Sequence, residues 1–493
     1  MTKQQTNVRV VTGAVFVATF MSAIEGTIVS TAMPTIVGDL HGVALMNWVF
    51  SIFLLTNALA TPIYGKLADT VGRKSVFLAG LLIFVVGSTL SGLSNSMGTL
   101  IAWRALQGIG AGAIMPVSFT ILADIYPVEQ RARVMGLNGS AWGIADVVAP
   151  LLGGFIVDQL SWHWIFFINI PIGIVTMALI WFFLNENSER KHFTMDWGGS
   201  LWLSVGLLAL MLTFQLLGDG QLGLGWVVAG LVVTVLAFWA FIRQERRSSD
   251  PLIPLELFKD RTFVVQNLIA ALVSGFIMGF EVYLPTWTQG LLGLQASQAG
   301  FAITPSSLMW IVGSFIAGKL MLRRSPYQII NISLTLILIG GLTMALLPAT
   351  TPFWCFFVIA AICGTGFGIT ITTTTVTVQS AVAVDEVGVA TSFNTLSRTL
   401  GQTIMVSLLG IIMNVAMSRG VASHHGTSLA MMNQLINPQT AKNLSAELLP
   451  TLHGILYNGL HAIFIASALL IVVSYLVNRF DRRSTQTVTG NQG

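Results

Sequence analysis

Fourteen long apolar stretches constrain this chain more than any other feature of its sequence. A helix that crosses a bilayer needs about 20 mostly apolar residues, because lipid offers no partner for backbone N–H and C=O groups. Hydrophobic residues make up 54% of the chain and charged residues 9%, whereas a soluble domain carries about 25% charged residues. The sequence therefore predicts an all-α polytopic membrane protein. Its fourteen predicted spans lie at about 11–32, 47–65, 75–93, 98–122, 134–156, 163–183, 197–217, 224–243, 263–284, 299–321, 327–347, 353–374, 389–413 and 456–478.

The positions of Lys and Arg predict how the chain is oriented. Almost all of the 24 basic residues fall in every second loop and in the two terminal segments. The exceptions are Arg419 and Lys442 in the opposite loops, and Arg104 and Arg398 within spans. Because loops rich in Lys and Arg stay on the cytoplasmic side, we expect a protein of the cytoplasmic membrane with both termini in the cytoplasm. The net charge of +4 then reflects topology and does not indicate nucleic-acid binding.

A weak internal repeat predicts two related halves. Glu25 and Glu281 are 256 positions apart, and the same distance separates Asn138 from Asn394. Related halves around a midplane site are a common plan for transporters. The polar segment at 414–455 is predicted to be a surface loop. The predicted units are an N-terminal six-helix bundle at 1–190, two inserted transmembrane helices at 191–250, a C-terminal six-helix bundle at 251–483 and a disordered tail at 484–493.

The loop between the second and third spans carries a dense motif, GKLADTVGRK at 65–74. Its small residues allow two helices and a tight turn to pack closely, and its acid lies among several bases. A charge cluster of this kind can hold two bundles together in one state and release them in another. The simpler interpretation is a basic inner loop that only follows the orientation rule. The predicted conformational latch consists of Gly65, Asp69, Gly72, Arg73 and Lys74.

Two further motifs lie in the fourth and fifth spans, RALQGIGAG at 104–112 and GIADVVAPLLGG at 143–154. With the segment at 65–74, they resemble the loop motif, the R-x-x-Q-G-x-G-A motif and the antiporter motif of the major facilitator superfamily. The antiporter motif departs from the family pattern at Ala149, where glycine is usual. Its remaining positions are Gly143, Pro150, Gly153 and Gly154.

Other segments resemble one branch of that superfamily, the fourteen-helix drug:proton antiporters. They are EGTIVSTAMP at 25–34, WHWIFFINIP at 162–171 and DWGG at 196–199. The resemblance covers nearly the whole chain. It implies two six-helix bundles plus two inserted helices. It also implies proton-coupled export of lipophilic, often cationic, drugs by alternating access.

Three ionisable residues lie at similar depth inside predicted spans. Counted at 1.5 Å per residue, Glu25 lies about 21 Å and Asp146 about 18 Å from the inner ends of their spans, and Arg104 about 9 Å from an outer end. Such residues are costly in lipid and usually face the bundle interior. We predict a polar cavity in which the two acids carry protons and Arg104 tunes them. The alternatives are that Glu25 only pairs structurally with Arg104, and that Asp146 only packs against a neighbouring Ser or the backbone.

Three more residues complete the predicted proton-coupling and substrate cavity. Gln107 belongs to the motif of the fourth span. Glu281 lies near the outer end of its span, where it is either a residue of the cavity mouth or an interfacial one. Arg398 lies in the middle of its span, where it either serves transport or pairs with polar groups such as Asn394.

The sequence favours a transporter over an enzyme. A GxxxxGK segment at 313–319 is similar to a P-loop, but it lacks the final Ser or Thr and lies within an apolar stretch. We therefore expect no catalytic residues, no metal and no cofactor, with protons as the coupling ion. The expected partners of a monomeric protein are small lipophilic substrates and the lipid bilayer, without nucleic acid. Two alternatives stay open: a dedicated exporter of one metabolite or antibiotic, and a transport-dead membrane sensor.

Overall fold

The computed structural model describes residues 6–186, 197–219, 224–248, 255–382 and 387–481, and every regular element in these ranges is a helix. Two short 3-10 helices lie at Val43–Leu45 and Leu255–Lys259. The α-helices are α1 (Val8–Leu40), α2 (Met46–Val71), α3 (Arg73–Gly92), α4 (Met97–Ile125), α5 (Val128–Gln159), α6 (Trp164–Phe167), α7 (Asn169–Phe183), α8 (Trp197–Asp219), α9 (Leu224–Glu245), α10 (Arg261–Gly290), α11 (Ala296–Met321), α12 (Pro326–Leu346), α13 (Phe353–Ser380), α14 (Val387–Ser423), α15 (Leu429–Ile436), α16 (Pro438–Ala441) and α17 (Leu449–Arg479).

The helices agree with the predicted spans. Within the described ranges, thirteen helical segments are long and apolar enough to cross a membrane. Helix α8 adds a shorter apolar segment, Gly198–Leu210. Each of the fourteen predicted stretches falls on one of these segments, with α6 and α7 together forming the sixth. The predicted fold class, an all-α polytopic membrane protein, is confirmed.

The two ends of the bundle are named here by the chain termini. The terminal face carries the start of α1 and the end of α17, and the distal face carries the end of α1 and the start of α17. At the terminal face, Thr262 and Gln266 donate hydrogen bonds of 2.8 and 2.9 Å to the carboxylate of Asp481. The backbone N–H of Asn7 donates to the carbonyl of Phe183 at 3.2 Å. Both ends of the described chain are thus fixed to neighbouring helix ends.

Local sequence explains where several helices begin. The side chains of Asn7 and Asp260 accept backbone N–H groups at the starts of α1 and α10. Ser96 forms a capping box with Thr99 at the start of α4. Such caps satisfy amides that have no partner within the helix. Between α2 and α3 the chain turns at Gly72, whose φ of 117° favours glycine because other side chains clash there.

The same packing plan occurs twice along the chain. In the first half α1 packs against α5, and α4 packs against α2 and α3. In the second half α10 packs against α14, and α13 packs against α11 and α12. Helix α7 packs on α1 and α3, as α17 packs on α10 and α12. This correspondence is the one that the weak sequence repeat indicates.

The two asparagines of the repeat occupy equivalent places. Asn138 on α5 accepts a 3.2 Å hydrogen bond from Thr19 on α1, and the Thr19 hydroxyl also lies 3.4 Å from Ser118 on α4. Asn394 on α14 donates to Asn267 on α10 at 3.0 Å and accepts from Thr375 on α13 at 3.1 Å. Each asparagine is nearly fully buried. A buried polar group of this kind joins the first, fourth and fifth helices of its half.

The halves meet chiefly along two helix pairs, and α1 also packs against α10 and α11 of the second half. Helix α5 packs against α11, and α2 packs against α14. The inserted helices α8 and α9 pack against each other, and α8 also contacts α14 and α2. An apolar cluster joins these elements through the buried residues Leu55, Leu203, Leu207 and Phe241, with Phe393 and Leu400 packed against them.

The predicted domain limits stay predictions. The limits near 190 and 250 and the tail at 484–493 lie outside the described residues.

The predicted surface loop at 414–455 is partly wrong. Helix α14 continues to Ser423, and α15 follows within the loop. Met432, Leu435 and Ile436 of α15 are buried, and this helix packs against α1. The short amphipathic helix α15 buries its apolar side on the distal face. The polar residues around it obscured this helix in the sequence.

Candidate functional site

A fully buried ion pair lies inside the first half. Nη1 of Arg104 on α4 is 2.7 Å from Oε2 of Glu25 on α1, and neither side chain is exposed. The same Nη1 donates to Oε1 of Gln107 at 2.8 Å, and Nε of Arg104 donates to the carbonyl of Val49 at 3.4 Å. The structure therefore brings together three of the residues predicted from sequence. A buried charge is costly unless it is paired and hydrogen-bonded, and each charge here is neutralised by the other.

The second oxygen of Glu25 is held by a residue that sequence reasoning missed. Asn169 Nδ2 donates to Oε1 of Glu25 at 2.5 Å and to Oγ of Ser88 at 3.0 Å. Asn169 is the first residue of α7, and Ile168, the one residue between α6 and α7, keeps a helical backbone conformation. The available signal was an amide within the otherwise apolar run at 165–172.

Aromatic rings surround the guanidinium of Arg104. Its central carbon lies 4.0 Å from the ring centre of Phe53 and 5.9 Å from that of Phe166. A cation over an aromatic face gains electrostatic stabilisation, and more so when it is desolvated. The site is thus a compact polar cluster within an apolar shell.

The structure leaves the role of the other predicted cavity residues untested. The helix α5 includes Asp146, but its side chain lies outside the described set. Glu281 on α10 and Arg398 on α14 are partly buried, and each makes interactions of its own. Their predicted role in the cavity stays a prediction.

The turn after α2 is held within its own half. Arg73 forms an ion pair with Asp124 at the end of α4, and its backbone N–H donates to Oε1 of Glu186 at 2.5 Å. Lys74 donates to the carbonyls of Trp181 and Leu184 at the end of α7. A cation is stabilising at a helix C-terminus, where carbonyl groups lack partners. The turn therefore ties α3 to α4 and α7 on the terminal face.

Two members of the predicted latch are less defined. The side chain of Asp69 is not among those that the structure describes. A Cβ atom added to Gly65 would meet nothing within 4 Å. Close packing therefore does not explain this glycine, and the latch stays a prediction.

The glycines of the antiporter motif form a contact surface on α5. A Cβ atom at Gly154 would collide with the backbone of Ser297 on α11, and one at Gly153 would lie 2.8 Å from Ile28 on α1. On the facing helix, a Cβ atom at Gly300 would collide with the carbonyl of Pro150. In contrast, one at Gly143 would make only ordinary contacts of 3.8 Å. The end of α5 near the distal face therefore packs at backbone distance against the other half.

Hydrogen bonds also cross between the halves toward the distal face. Tyr283 on α10 donates to Oδ1 of Asn47 on α2 at 2.7 Å. Gln289 on α10 donates to the carbonyl of Thr31 on α1 at 3.1 Å. These groups lie near the distal ends of their helices, so the two halves are joined on that side.

A carboxylate adds a further connection between the halves. Asp158 at the end of α5 accepts the backbone N–H groups of Ala296 and Ser297 at 3.2 and 2.9 Å. Those two residues begin α11. A negative charge at a helix N-terminus is stabilising, so Asp158 caps a helix of the opposite half.

Comparison with known proteins agrees with this architecture. The family model of the Major Facilitator Superfamily matches residues 15–406. The chain belongs to this superfamily. Its members are transporters, and the chain is a multi-pass membrane protein.

Two curated relatives and one solved structure illustrate the similarity. The chain is 32% identical to the multidrug transporter protein MdtP of Bacillus subtilis (strain 168), over 97% of this chain and 93% of the relative. It is 34% identical to multidrug resistance protein 3 of the same organism, over 83% and 80%. A bacterial homologue of the human lysosomal transporter Spinster, in an inward-facing and unoccupied conformation, has a TM-score of 0.71 at 16% identity, covering 98% of this chain and 99% of that one.

Proposed function

We propose that the chain is a proton-coupled antiporter that exports lipophilic, often cationic, compounds across the cytoplasmic membrane by alternating access. The single observation that carries this proposal is the Glu25–Arg104 pair, with neither side chain exposed, in the apolar core of a superfamily member. An intramembrane ionisable residue is costly and usually functional. The named multidrug relatives support the substrate class.

The pair gives a physical reason for coupling. Arg104 stays protonated because a guanidinium does not titrate in proteins. When Glu25 is ionised the two charges cancel, and when Glu25 takes up a proton the charge of Arg104 is left without a buried counter-charge. Leaving one buried charge unpaired is strongly destabilising. Protonation therefore favours a conformation that hydrates or re-pairs Arg104, and this couples the proton to the movement of the halves.

Orientation follows from the basic loops. The terminal face carries Arg73, Lys74 and most other basic residues of the loops, so this face is cytoplasmic in our proposal. The distal face is then external, and the contacts across it close the outer side. In this conformer substrate enters the protein from the cytoplasm or the inner leaflet.

The remaining roles continue the same proposal. Asp146 shares proton transfer with Glu25, while Glu281 and Arg398 line the substrate path. Asp69 completes a latch on the cytoplasmic side when that side closes. The protein works as a monomer without a cofactor, and protons are the coupling ion.

Reconstitution in liposomes tests the proposal. A panel of cationic and neutral lipophilic compounds is offered with an imposed pH gradient, with ATP alone, or after collapse of the gradient. We expect transport of several compounds that depends on the gradient and ignores ATP. Transport driven by ATP without a gradient would refute proton coupling. Transport of one compound only would favour a dedicated exporter, and no transport of any compound would favour a sensor.

A further inference from the structure

In the side-chain amide of Asn169, the nitrogen makes two hydrogen bonds and the oxygen makes none. Its Nδ2 donates to both Glu25 and Ser88. Its Oδ1 has no hydrogen-bond partner, although the residue is only 1% exposed. A buried acceptor without a partner costs free energy. The two hydrogen bonds that Nδ2 donates must therefore be what favours this orientation of the amide.

This orientation matches an ionised Glu25. A carboxylate only accepts hydrogen bonds, whereas a protonated carboxyl also donates one. Oε2 of Glu25 faces the cationic Arg104, so an added proton is placed on Oε1, which faces Asn169. Two donors would then point at each other, while the unused Oδ1 of Asn169 is the acceptor that the new O–H needs.

We propose that Asn169 is a positioning residue that follows the protonation of Glu25. Its amide donates to the ionised carboxylate and turns over to accept from the protonated carboxyl. In the conformation that admits water to Glu25, a hydronium ion gives its proton to Oε1 and leaves as water, and no other bond is made or broken. This inference rests on the proposed function, because it assumes that Glu25 exchanges protons during transport.

Ser88 extends the response to the backbone of α6. Its hydroxyl accepts from Asn169 and donates to the carbonyl of Phe166 at 2.9 Å. A hydroxyl can exchange these roles by rotation. When the amide turns over, Ser88 donates to Oδ1 of Asn169, and the carbonyl of Phe166 loses the hydrogen bond from this hydroxyl. Protonation of Glu25 on α1 thereby changes a hydrogen bond to the backbone of α6, just before α7.

Other charged groups lie on the helices packed against α1. Arg104 on α4 is in direct contact with Glu25. Helix α5 carries Asp146 and, near the distal face, Asp158, and helix α10 carries Glu281. Each could add its own response to pH, so the test compares every variant with E25Q.

The first measurement is the pH midpoint of substrate-induced proton release from the purified protein. N169L removes the donor and the acceptor at similar side-chain size. A hydrogen bond to an ionised group is roughly twice as strong as one between neutral groups, so N169L loses more in the ionised state. We expect its midpoint to rise by about one pH unit. N138L, which removes another buried asparagine of the same half, should keep the parental midpoint.

The second measurement needs no substitution at Asn169. Infrared difference spectra between acid and alkaline pH are recorded on parent protein in which the side-chain amide carbon of asparagine is labelled. We expect a labelled amide band that changes with pH in the parent and in N138L, and that is silent in E25Q and N169L. If E25Q releases fewer protons than the parent, then a parent without such a band, or an unchanged midpoint in N169L, would overturn the role of Asn169. Parental proton release from E25Q would instead overturn the proposed function.

Discussion

Tyr283 of the second half donates a 2.7 Å hydrogen bond to Asn47 of the first half. The two residues are 0% and 4% exposed, so water does not compete for the bond. Alternating access requires the halves to separate on the distal face, and this bond must then break. It contributes about 0.5–1.5 kcal/mol to the closed distal face.

Y283F should therefore shift the conformational equilibrium toward the distal-open state. A loss of about 1 kcal/mol corresponds to roughly a fivefold change in population. Distances between spin labels placed on the distal ends of α2 and α10 report this population. Y457F is the matched control, because Tyr457 donates at 2.9 Å to the carbonyl of Leu347 within the second half. An equal shift in the control would show that the effect is not specific to the contact between halves.

G154A should weaken closure of the distal face. A methyl group at Gly154 collides with the backbone of Ser297, and overpacking of this kind costs about 1–3 kcal/mol. We expect a larger distal-open population in the same spin-label measurement. G143A is the control, because its methyl group meets Ile311 at an ordinary 3.8 Å. If G143A opens the distal face as much as G154A, close packing of the halves is not the cause.

E25Q should impair export of cationic compounds more than of neutral ones. The substitution keeps the shape of the side chain but leaves Arg104 without its counter-charge, and breaking a buried pair costs about 3–5 kcal/mol. Flux of matched cationic and neutral substrates is measured in liposomes, with thermal stability recorded in parallel. E281Q makes the same change at a partly buried acid on α10, and it is compared with E25Q to test whether the effect is specific to the Glu25–Arg104 pair. Equal loss for both substrate classes in E25Q, with a matching loss of thermal stability, would argue for a purely structural pair.

D69N should slow turnover more than it weakens substrate binding. We place Asp69 in a latch that forms when the cytoplasmic side closes, so its loss changes the exchange between states. Equilibrium affinity and flux are measured separately on the same preparation. A collapse of affinity at an unchanged exchange rate would contradict the latch.

The inserted helices α8 and α9 should lie outside the transport pathway. Only 22% of the most apolar part of α9 is buried, as expected for a helix that faces lipid. Single cysteines along both helices are tested for reaction with a water-soluble reagent. A continuous reactive stripe that reaches the middle of the membrane on either helix would contradict this prediction.

The sequence predicted the parts of the site that carry charge. Glu25 and Arg104 were placed at one depth by counting helical residues, and they form the buried pair. Gln107 was found through its motif and bonds to Arg104. Charged residues stand out in an apolar sequence because their burial is so costly.

Neutral partners were harder to predict. Asn169 bears no charge, and its contact with Glu25 depends on how α7 packs on α1, which hydropathy does not indicate. The repeat correctly related Asn138 to Asn394, yet it also related Glu25 to Glu281, and these two acids differ in burial. A repeat predicts equivalent helices, whereas side-chain environments diverge once each half acquires its own partners.

The apolar cluster between α8 and the two halves has a consequence for leakage. Leu55 on α2 and Leu400 on α14 belong to opposite halves and share this cluster with Leu203 and Leu207 of α8. Apolar contacts have no preferred direction, so the helices can tilt and slide while the cluster stays dry. Helix α8 therefore covers the contact between α2 and α14 with apolar side chains, and we expect this cover to limit leakage of water and protons between the halves.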